Sequence, residues 1–297
     1  MSTNNNKSFN TKAPWGSYAP TGLAALAIRG CQSLPASSRL FYTLNKGLRG
    51  PIKSSEPRFF DVNSLGMRLR LLTRGNYCET TALFAPQFYD VAEFAWLRNG
   101  LADNSVFIDV GGNVGLYSLV AALNNASTRV IAVEPNETLT ERLRFNAANN
   151  NLSVEVCETA LSDYSGSGIL DTSAKQSGQN QLSATANQDG KRDQENMALE
   201  TAAPDTATHK SKDVKVTTLP ALMESAGVKQ IDVLKIDIEG HEHRVLKYFF
   251  ENAQSSLHPA RIIIEHVHDQ DGTVDMLTDR FGYRIEDKAA RNVLLCQ

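Results

Sequence analysis

Two stretches of this chain constrain its fold more than any other feature. Residues 106–118 have the sequence Val-Phe-Ile-Asp-Val-Gly-Gly-Asn-Val-Gly-Leu-Tyr-Ser, and residues 129–135 have the sequence Arg-Val-Ile-Ala-Val-Glu-Pro. Each begins with a run of apolar residues typical of a buried strand, and the apolar residues after the glycines have the spacing of one helix face. The order strand, glycine turn, helix, strand, acid predicts a nucleotide-type binding half of a doubly wound sheet.

The turn itself indicates how a ligand could be held. It contains three glycines, an acid and an amide, namely Asp109, Gly111, Gly112, Asn113 and Gly115. Glycine lets the backbone approach a ligand closely, and an acid at the tip of the next strand can accept hydrogen bonds from two ribose hydroxyls. Glu134 follows Gly111 by 23 positions, close to the spacing expected for that acid.

The same pattern favours one ligand without excluding others. A dinucleotide fingerprint requires G-x-G-x-x-G so that a helix N-terminus can hold a pyrophosphate, but position 113 is Asn. Asp109 would repel a pyrophosphate, whereas it suits a ligand with an ammonium and a sulfonium group, as in S-adenosylmethionine (SAM). A SAM site is therefore favoured, and a nicotinamide or other nucleotide site and an unoccupied structural turn remain open.

Composition excludes several classes of protein. The chain has 297 residues, 41% of them hydrophobic, and a formal net charge of −3, so it can bury a large core and has no electrostatic footprint for nucleic acid. Four dispersed cysteines show no metal-type spacing, and no apolar run is long enough for a membrane span. We expect a cytoplasmic enzyme with a small-molecule or glycan acceptor, no nucleic-acid partner and no integral membrane segment; the oligomeric state is left open.

Changes in composition divide the chain. We expect residues 1–55 to be an N-terminal extension, disordered over 1–20 with short helices over 21–49. Residues 56–297 would form the main domain, in which 56–100 provide a hairpin and a helix over 86–97 that could cover a ligand cleft. Residues 171–213 are rich in Ser, Thr, Gln, Asn, Asp and Lys and lack apolar periodicity, which predicts a polar, flexible insertion.

The remaining pattern predicts the sheet. Strands are expected at 154–156, 231–236 and 262–264, with helices between them, followed by a hairpin of 283–286 and 292–295. Alternating strands and helices closed by a late hairpin predict an α/β fold with a doubly wound, mostly parallel sheet and one reversed strand.

Residues 231–243, Ile-Asp-Val-Leu-Lys-Ile-Asp-Ile-Glu-Gly-His-Glu-His, form a second dense polar cluster. Methyl transfer to an alcohol needs the acceptor in line with the sulfonium methyl and a base for the departing proton. Asp237, Glu239 and His241 are the candidate catalytic residues. For Glu242 we favour a structural role in the first helical turn, where an acid complements the helix dipole.

A metal ion is the weaker interpretation of the acids and histidines after these strands. The residues that could converge are Asp237, Glu239, His241, His243, Glu265, His266, His268 and Asp269. However, position 245 is Val, so the histidines do not form H-E-x-x-H. We therefore expect no bound metal, and histidines that face solvent or substrate.

The whole pattern resembles the FkbM family of SAM-dependent methyltransferases. The matching pieces, in the family's order, are 107–118, 133–135, 160–163, 216–219, 234–242, 245–246 and 262–265. The resemblance covers residues 56–297. It departs from the family at Gly112, where alanine is usual, and at the insertion of 171–213.

The resemblance implies a seven-stranded Rossmann-like sheet with a reversed C-terminal hairpin strand, and SAM as cofactor. It implies that the loop residues Asp109, Gly111, Asn113 and Gly115 line SAM, that Glu134 holds the ribose, and that Leu161, Ser162 and Asp163 lie along the adenine. Asp237 and Glu239 would face the methyl group and the acceptor, most simply a hydroxyl of a sugar or secondary metabolite. Two other functions stay open: a nicotinamide-dependent sugar oxidoreductase, and a non-catalytic module that only binds a partner.

Overall fold

The computed structural model describes residues 6–36, 39–172, 181–184, 211–266, 269 and 271–297. Its helices are α1 Gly22–Ser33, α2 Arg39–Ser54, α3 Tyr77–Phe84, α4 Val91–Gly100, α5 Leu116–Asn124, α6 Glu137–Asn149, α7 Leu219–Ala226, α8 Glu242–Asn252 and α9 Thr273–Phe281. Its strands are β1 Phe59–Ser64, β2 Met67–Leu72, β3 Val106–Val110, β4 Arg129–Val133, β5 Glu155–Cys157, β6 Ala160–Leu161, β7 Gly166–Asp171, β8 Gln181–Ala184, β9 Ser211–Thr217, β10 Val233–Ile236, β11 Arg261–Glu265, β12 Arg284–Lys288 and β13 Asn292–Cys296. None of the described helices is long and apolar enough to cross a membrane.

Seven strands form the central sheet in the order β12-β13-β11-β10-β3-β4-β5. All neighbouring pairs from β11 to β5 are parallel, and β13 runs antiparallel to both β11 and β12. The predicted α/β class, the seven strands and the reversed strand of the C-terminal hairpin are confirmed.

Each central strand is buried on both faces. Alternate residues of β3 belong to different clusters: Phe107 packs with the core that contains α5 and α6, whereas Ile108 packs with the core that contains α7 and α8. Because successive side chains of a strand point to opposite faces, a strand covered by helices on both sides must be apolar throughout. This explains the continuous apolar runs in the sequence.

The strand order reverses between β3 and β10, and this reversal positions the site. From β3 the chain proceeds to β4 and β5 on one side, while β10 and β11 lie on the other. Helices that follow β3 and β10 therefore diverge and leave a crevice at the carboxyl ends of these two strands. The backbone N–H of Asp237 donates to the carbonyl of Val110 at 3.1 Å, so both strands end at the same level beside this crevice.

Residues 56–100 contain the predicted hairpin, but the structure of the predicted helix differs from the expectation. Strands β1 and β2 pair in register from Phe59 to Leu72, but the helix expected over 86–97 is interrupted. Pro86–Phe88 forms a 3-10 turn, and Asp90 adopts a left-handed conformation with φ 42° before α4 begins. Helix α3, which sequence reasoning missed, precedes the turn. It begins with Asn76, whose side chain accepts a hydrogen bond from the N–H of Glu79.

Residues 6–18 contact the hairpin, which differs from the disorder expected for residues 1–20. The cause is Arg70, a fully buried cation whose guanidinium donates to Asp61 at 2.7 and 2.9 Å. The same guanidinium donates to the carbonyls of Asn10, Ala13 and Pro14 at 2.7–3.0 Å. A buried guanidinium needs all its donors satisfied, and the N-terminal segment supplies the acceptors.

The described part of the predicted insertion also carries structure. Strand β8 pairs with β7, and β7 pairs with β9, in a smaller sheet of order β6-β9-β7-β8. Leu182 packs against the small apolar cluster of this sheet. A segment of the insertion is therefore paired where sequence reasoning expected none; residues 173–180 and 185–210 lie outside the described residues, so their predicted flexibility stays a prediction.

The buried ion pair of Arg70 and Asp61 should contribute more to the free energy of unfolding than an exposed ion pair does. Asp61→Asn leaves Arg70 buried without its counter-charge, so the free energy of unfolding should fall by about 3–5 kcal/mol. Glu251→Gln removes a carboxylate from an exposed pair with Arg280 and should cost less than about 1 kcal/mol. Urea unfolding measures both, and equal effects of the two substitutions would contradict a structural role for the buried pair.

Candidate active site

The glycine turn lies against the end of β10. Gly111 has φ 75°, and a Cβ atom there would lie 1.9 Å from the carbonyl oxygen of Asp237. Its N–H and that of Gly112 donate to the carbonyl of Val133 at 2.9 and 3.1 Å. The turn is therefore fixed between the ends of β4 and β10, and only glycine fits at position 111.

Asp109 lies directly beneath the turn and is almost fully buried. Its Oδ2 atom accepts hydrogen bonds from the N–H and hydroxyl of Ser118 at 3.1 and 2.6 Å, which ties β3 to the first turn of α5. Burial raises the pKa of the Asp109 carboxyl. Its Oδ1 atom is buried and has no hydrogen-bond partner among the described residues, so this oxygen is the one left to face a cation.

Lys235 lies at the centre of the candidate site, and sequence reasoning missed it. Its ammonium lies 3.8 Å from Asp109 Oδ1 and 3.5 Å from Asp237 Oδ2, and it contacts the carbonyl of Gly111 at 3.5 Å. Although burial acts against the charge, the carboxylates of Asp237 and Asp109 hold the pKa of Lys235 above its usual range. The available signal was a lysine between the apolar neighbours Leu234 and Ile236, in a strand otherwise buried.

Glu134 closes the turn from the side of β4. One carboxylate oxygen accepts from the N–H of Asn113 and the other from the N–H of Asn136, both at 2.9 Å. Burial raises the pKa of Glu134 to about 7, and the two backbone donors and Lys235 moderate this rise. Asn113 has φ 52°, and its side chain accepts from Asn76 at 2.7 Å, which connects the turn to the start of α3.

A cavity of about 560 Å³ opens beside Glu134. Its lining includes six of the predicted site residues: Gly111, Glu134, Leu161, Asp237, Glu239 and His241. Ser162 is buried and bonds to His241 Nε2 at 3.0 Å and to Asp163 at 3.0 Å. Burial and the guanidinium of Arg244 lower the pKa of His241, so this imidazole is predominantly neutral near pH 7.

A second cavity, of about 1130 Å³, lies on the other side of the turn. Its lining combines aromatic rings, acids and two cations: Tyr77, Tyr89, Asp90, Tyr117, Lys235, Asp237, Glu239, Glu265 and Arg291. Asp90 Oδ2 accepts a hydrogen bond from the hydroxyl of Tyr117 at 3.0 Å, and Arg291 Nε donates to Glu265 at 2.9 Å. Burial first, and then Glu93, raise the pKa of Asp90 to about 6.

Gly111, Asp237 and Glu239 line both cavities. Burial, followed by the charges of Asp237 and Glu265, raises the pKa of Glu239 to about 7. The conformation of this segment is unusual, because Glu239 has φ 55° and Gly240 has φ 92°. Glu242 holds it in place: its carboxylate accepts from the N–H groups of Ile238 and Gly240 at 2.6 and 2.9 Å, in keeping with the structural role favoured from sequence.

The histidines and acids considered as metal ligands are dispersed. Within the described part of the chain, no three His, Cys, Asp or Glu side chains are placed to hold a metal ion. His243 contacts Thr273, and His266 contacts the carbonyl of Ala289. His268 lies outside the described residues.

The sheet order and the glycine turn define the chain as an α/β protein with a Rossmann-like sheet. The chain matches the Methyltransferase FkbM domain over residues 109–285, more than half of its length, and it belongs to this family.

Two curated proteins are similar to this chain at nearly the same level of sequence identity. The chain is 29% identical over 195 residues to the 31-O-demethyl-FK506 methyltransferase FkbM of Streptomyces tacrolimicus. The aligned residues cover 60% of this chain and 72% of that protein. It is 28% identical over 236 residues to the AMB antimetabolite synthetase AmbE of Pseudomonas aeruginosa, covering 71% of this chain and only 11% of that protein. A solved precorrin-6y C5,15-methyltransferase from Geobacter metallireducens is 13% identical with a TM-score of 0.38, covering 69% of this chain and 86% of that one.

The two adjacent glycines provide a matched test of the turn. Gly111→Ala places a methyl group on the Asp237 carbonyl, so it should lower the free energy of unfolding by about 1–3 kcal/mol or more. At Gly112 the nearest atom to a new Cβ is 3.4 Å away, an ordinary contact, and Gly112→Ala should be neutral or stabilising by about 0.4–1 kcal/mol. Urea unfolding of both variants is the measurement, and a tolerated Gly111→Ala would refute the close approach.

Proposed function

We propose that this protein transfers a methyl group from SAM to a hydroxyl of a sugar or secondary-metabolite acceptor. The observation that carries the proposal is the meeting of two cavities at Gly111, Asp237 and Glu239, in a chain of the FkbM family. Methyl transfer needs a cofactor and an acceptor to meet end to end, with a base at the junction.

The residues around the turn fit SAM. Glu134 can accept hydrogen bonds from ribose hydroxyls, and Leu161 offers an apolar surface to an adenine in the smaller cavity. The methionine end would lie along Gly111 and Asn113, above the buried pair of Asp109 and Lys235. When bound, SAM would supply the electrophilic methyl group, and the protein would orient it towards the larger cavity.

The larger cavity fits a hydroxylated acceptor. Tyrosine rings provide apolar surfaces for a sugar or macrocycle, and carboxylates accept hydrogen bonds from hydroxyls. The relative from Streptomyces tacrolimicus is a 31-O-demethyl-FK506 methyltransferase, which supports oxygen as the methylated atom here. We also propose, as expected from the sequence, that the acceptor is a small molecule and that the protein has no nucleic-acid partner.

The three candidate catalytic residues have different environments, and we assign them different roles. Glu239 can act as the base, since a carboxyl with a pKa of about 7 is well matched to proton transfer near neutral pH. Asp237 is paired with Lys235 and would orient the sulfonium end. His241 lines the smaller cavity and bonds to Ser162, which favours a role in holding the cofactor.

Calorimetric titration of the purified protein with SAM and with reduced nicotinamide cofactors tests the first step of the proposal. Binding of SAM alone is expected; binding of a nicotinamide cofactor instead would support the oxidoreductase alternative. Radiolabelled SAM incubated with panels of hydroxylated sugars and macrolides then tests transfer. SAM binding without transfer to any acceptor in either panel would favour the non-catalytic module.

Glu134 gives a pH-dependent prediction. SAM affinity should rise as the pH increases through about 7, because ionised Glu134 accepts ribose hydroxyls better than its protonated form does. Glu134→Gln should weaken SAM binding by about tenfold or more, since hydrogen bonds to charged groups contribute about 1.5–3 kcal/mol. It should also reduce the pH dependence. Glu137→Gln, an exposed acid three residues away that pairs with Lys212, is the control and should bind SAM as the wild type does.

The raised pKa of Glu134 also predicts an opposite effect on the stability of the free protein. Because the folded protein holds this proton more tightly than the unfolded chain, its contribution to stability is present below about pH 4.5 and is lost as the pH rises to about 7. Thermal unfolding without SAM should show this loss in wild type and not in Glu134→Gln. A pH-independent difference between the two proteins would contradict the burial of this carboxyl.

The proposed division of roles predicts separate kinetic effects. Glu239→Gln should lower kcat by about a hundredfold or more, the usual range for a positioned base, and change SAM affinity little. His241→Asn should instead weaken SAM binding with a smaller effect on kcat. Full activity of Glu239→Gln with an acceptor found in the radiolabel assay would transfer the role of base to Asp237, and loss of stability without loss of turnover would make Glu239 structural.

A further inference from the structure

The smaller cavity is lined by residues of two sheets. Val133, at the end of β4, and Glu134, which follows it, come from the central sheet, whereas Leu170 and Leu182 come from β7 and β8 of the smaller sheet. Leu182 lies within residues 171–213, the segment that the sequence predicts to be a polar insertion. A side chain of the insertion therefore reaches the wall of the cavity assigned above to the cofactor.

The pairing of β7 with β8 places two leucines side by side. Leu170 is the partner of Leu182 in this antiparallel pair, and directly opposite residues of neighbouring strands lie on the same face of a sheet. Leu170 is 2% exposed, whereas Leu182 is only partly buried against the apolar cluster of the smaller sheet. We call these two side chains the leucine wall. Both line the cavity, so the wall presents alkyl carbon to the molecule that occupies it.

Gly168 makes room for Leu182. It lies two residues before Leu170 on β7, so a side chain at position 168 would point to the same face as the leucine wall. A Cβ atom there would lie 2.8 Å from Cδ1 of Leu182 and 2.8 Å from Cγ2 of Val216. Because Val216 is buried and its β-branched side chain is stiff, Leu182 is the side chain that would have to move. The glycine thus determines where Leu182 packs.

The chemistry of the leucine wall distinguishes among the three parts of SAM. The methionine end carries an ammonium, a carboxylate and a sulfonium group, and the ribose carries hydroxyls, all of which need polar partners when buried. Adenine instead has flat faces that pack against apolar side chains. The two leucine side chains offer no hydrogen-bond donor or acceptor, whereas Glu134 in the same cavity can accept from the ribose. Adenine is therefore the part of SAM that fits this surface.

We propose that the leucine wall packs against the adenine ring of SAM, so that the part of the insertion around Leu182 belongs to the cofactor site. This assignment rests on the proposed function, in which SAM is the cofactor and its adenine occupies the smaller cavity. A contact with adenine is the same before and during methyl transfer, so it stabilises the bound cofactor and the transition state equally. Leu182 is thus a residue for cofactor binding and not for the transfer step.

Calorimetric titration of the full chain with SAM and with adenosine tests the contact. Leu182→Ala should weaken the binding of both ligands by the same factor, at least about tenfold, since a single methylene in an apolar pocket contributes about tenfold or more. Leu182→Met conserves the apolar volume and should restore most of the affinity. Ile169→Ala is the matched control: Ile169 precedes Leu170 on β7 and points to the opposite face, so this variant should bind both ligands as the wild type does.

Gly168→Ala tests the packing of the leucine wall independently. The new methyl group should displace Leu182, so SAM and adenosine should bind more weakly, as they do in Leu182→Ala. In the double variant the shorter side chain at position 182 leaves room for the methyl group. It should therefore bind SAM no more weakly than Leu182→Ala alone, because the two substitutions act on one contact. Additive losses of affinity would contradict this placement of Leu182.

Kinetics separate a contact with the cofactor from a structural effect. With an acceptor found in the radiolabel assay, Leu182→Ala should raise KM for SAM at least about tenfold and leave kcat and KM for the acceptor unchanged. A fall in kcat together with a lower melting temperature would make the leucine wall structural. Wild-type SAM affinity of Leu182→Ala, or weaker binding of SAM without weaker binding of adenosine, would overturn the proposal and leave SAM as the cofactor. If the wild type binds no SAM, the proposed function fails as well.

Discussion

The ammonium group of Lys235 is the interaction on which the site depends. It lies where the strand order reverses, between the carboxylates of Asp109 on β3 and Asp237 at the end of β10. Without it, the buried Asp109 and the partly exposed Asp237 would face each other at the floor of the crevice with no cation between them. With it, the ends of the two strands and the Gly111 carbonyl are held around one charge. The fold can thus place acids at the point where we propose that the sulfonium group of SAM binds.

The two acids of this segment have different surroundings. Asp237 lies 3.5 Å from the ammonium of Lys235, whereas Glu239, two residues further on, faces mainly other carboxylates and has a pKa raised to about 7. A carboxyl with this pKa suits the role of base that we propose for Glu239. Glu242 holds the segment in place by accepting two backbone hydrogen bonds.

The part of the chain that precedes the central sheet contributes side chains to the larger cavity. Arg70 and Asp61 attach the N-terminal segment to the hairpin, and the hairpin supports α3 through Glu79, which accepts from the N–H of Leu72 and from Arg142. The chain then supplies Tyr77 and Asp90 to the larger cavity. A left-handed conformation such as that of Asp90 is costly for a residue with a Cβ, and Asp90 adopts it in the lining of the larger cavity.

The sequence by itself determined the sheet, the glycine turn and the acids at the strand ends, because apolar runs, glycines and strand-terminal acids are local patterns with direct geometric meaning. It also determined the family. Only the tertiary structure decided which acids are paired. Lys235, Asp90, Tyr117 and Arg291 come from distant segments, and no spacing along the chain predicts that they share a cavity. The same applies to Arg70, whose acceptors lie 56–60 positions away and order a segment that composition alone describes as disordered. Long-range hydrogen bonds and burial set these features, and neither is encoded in a local pattern.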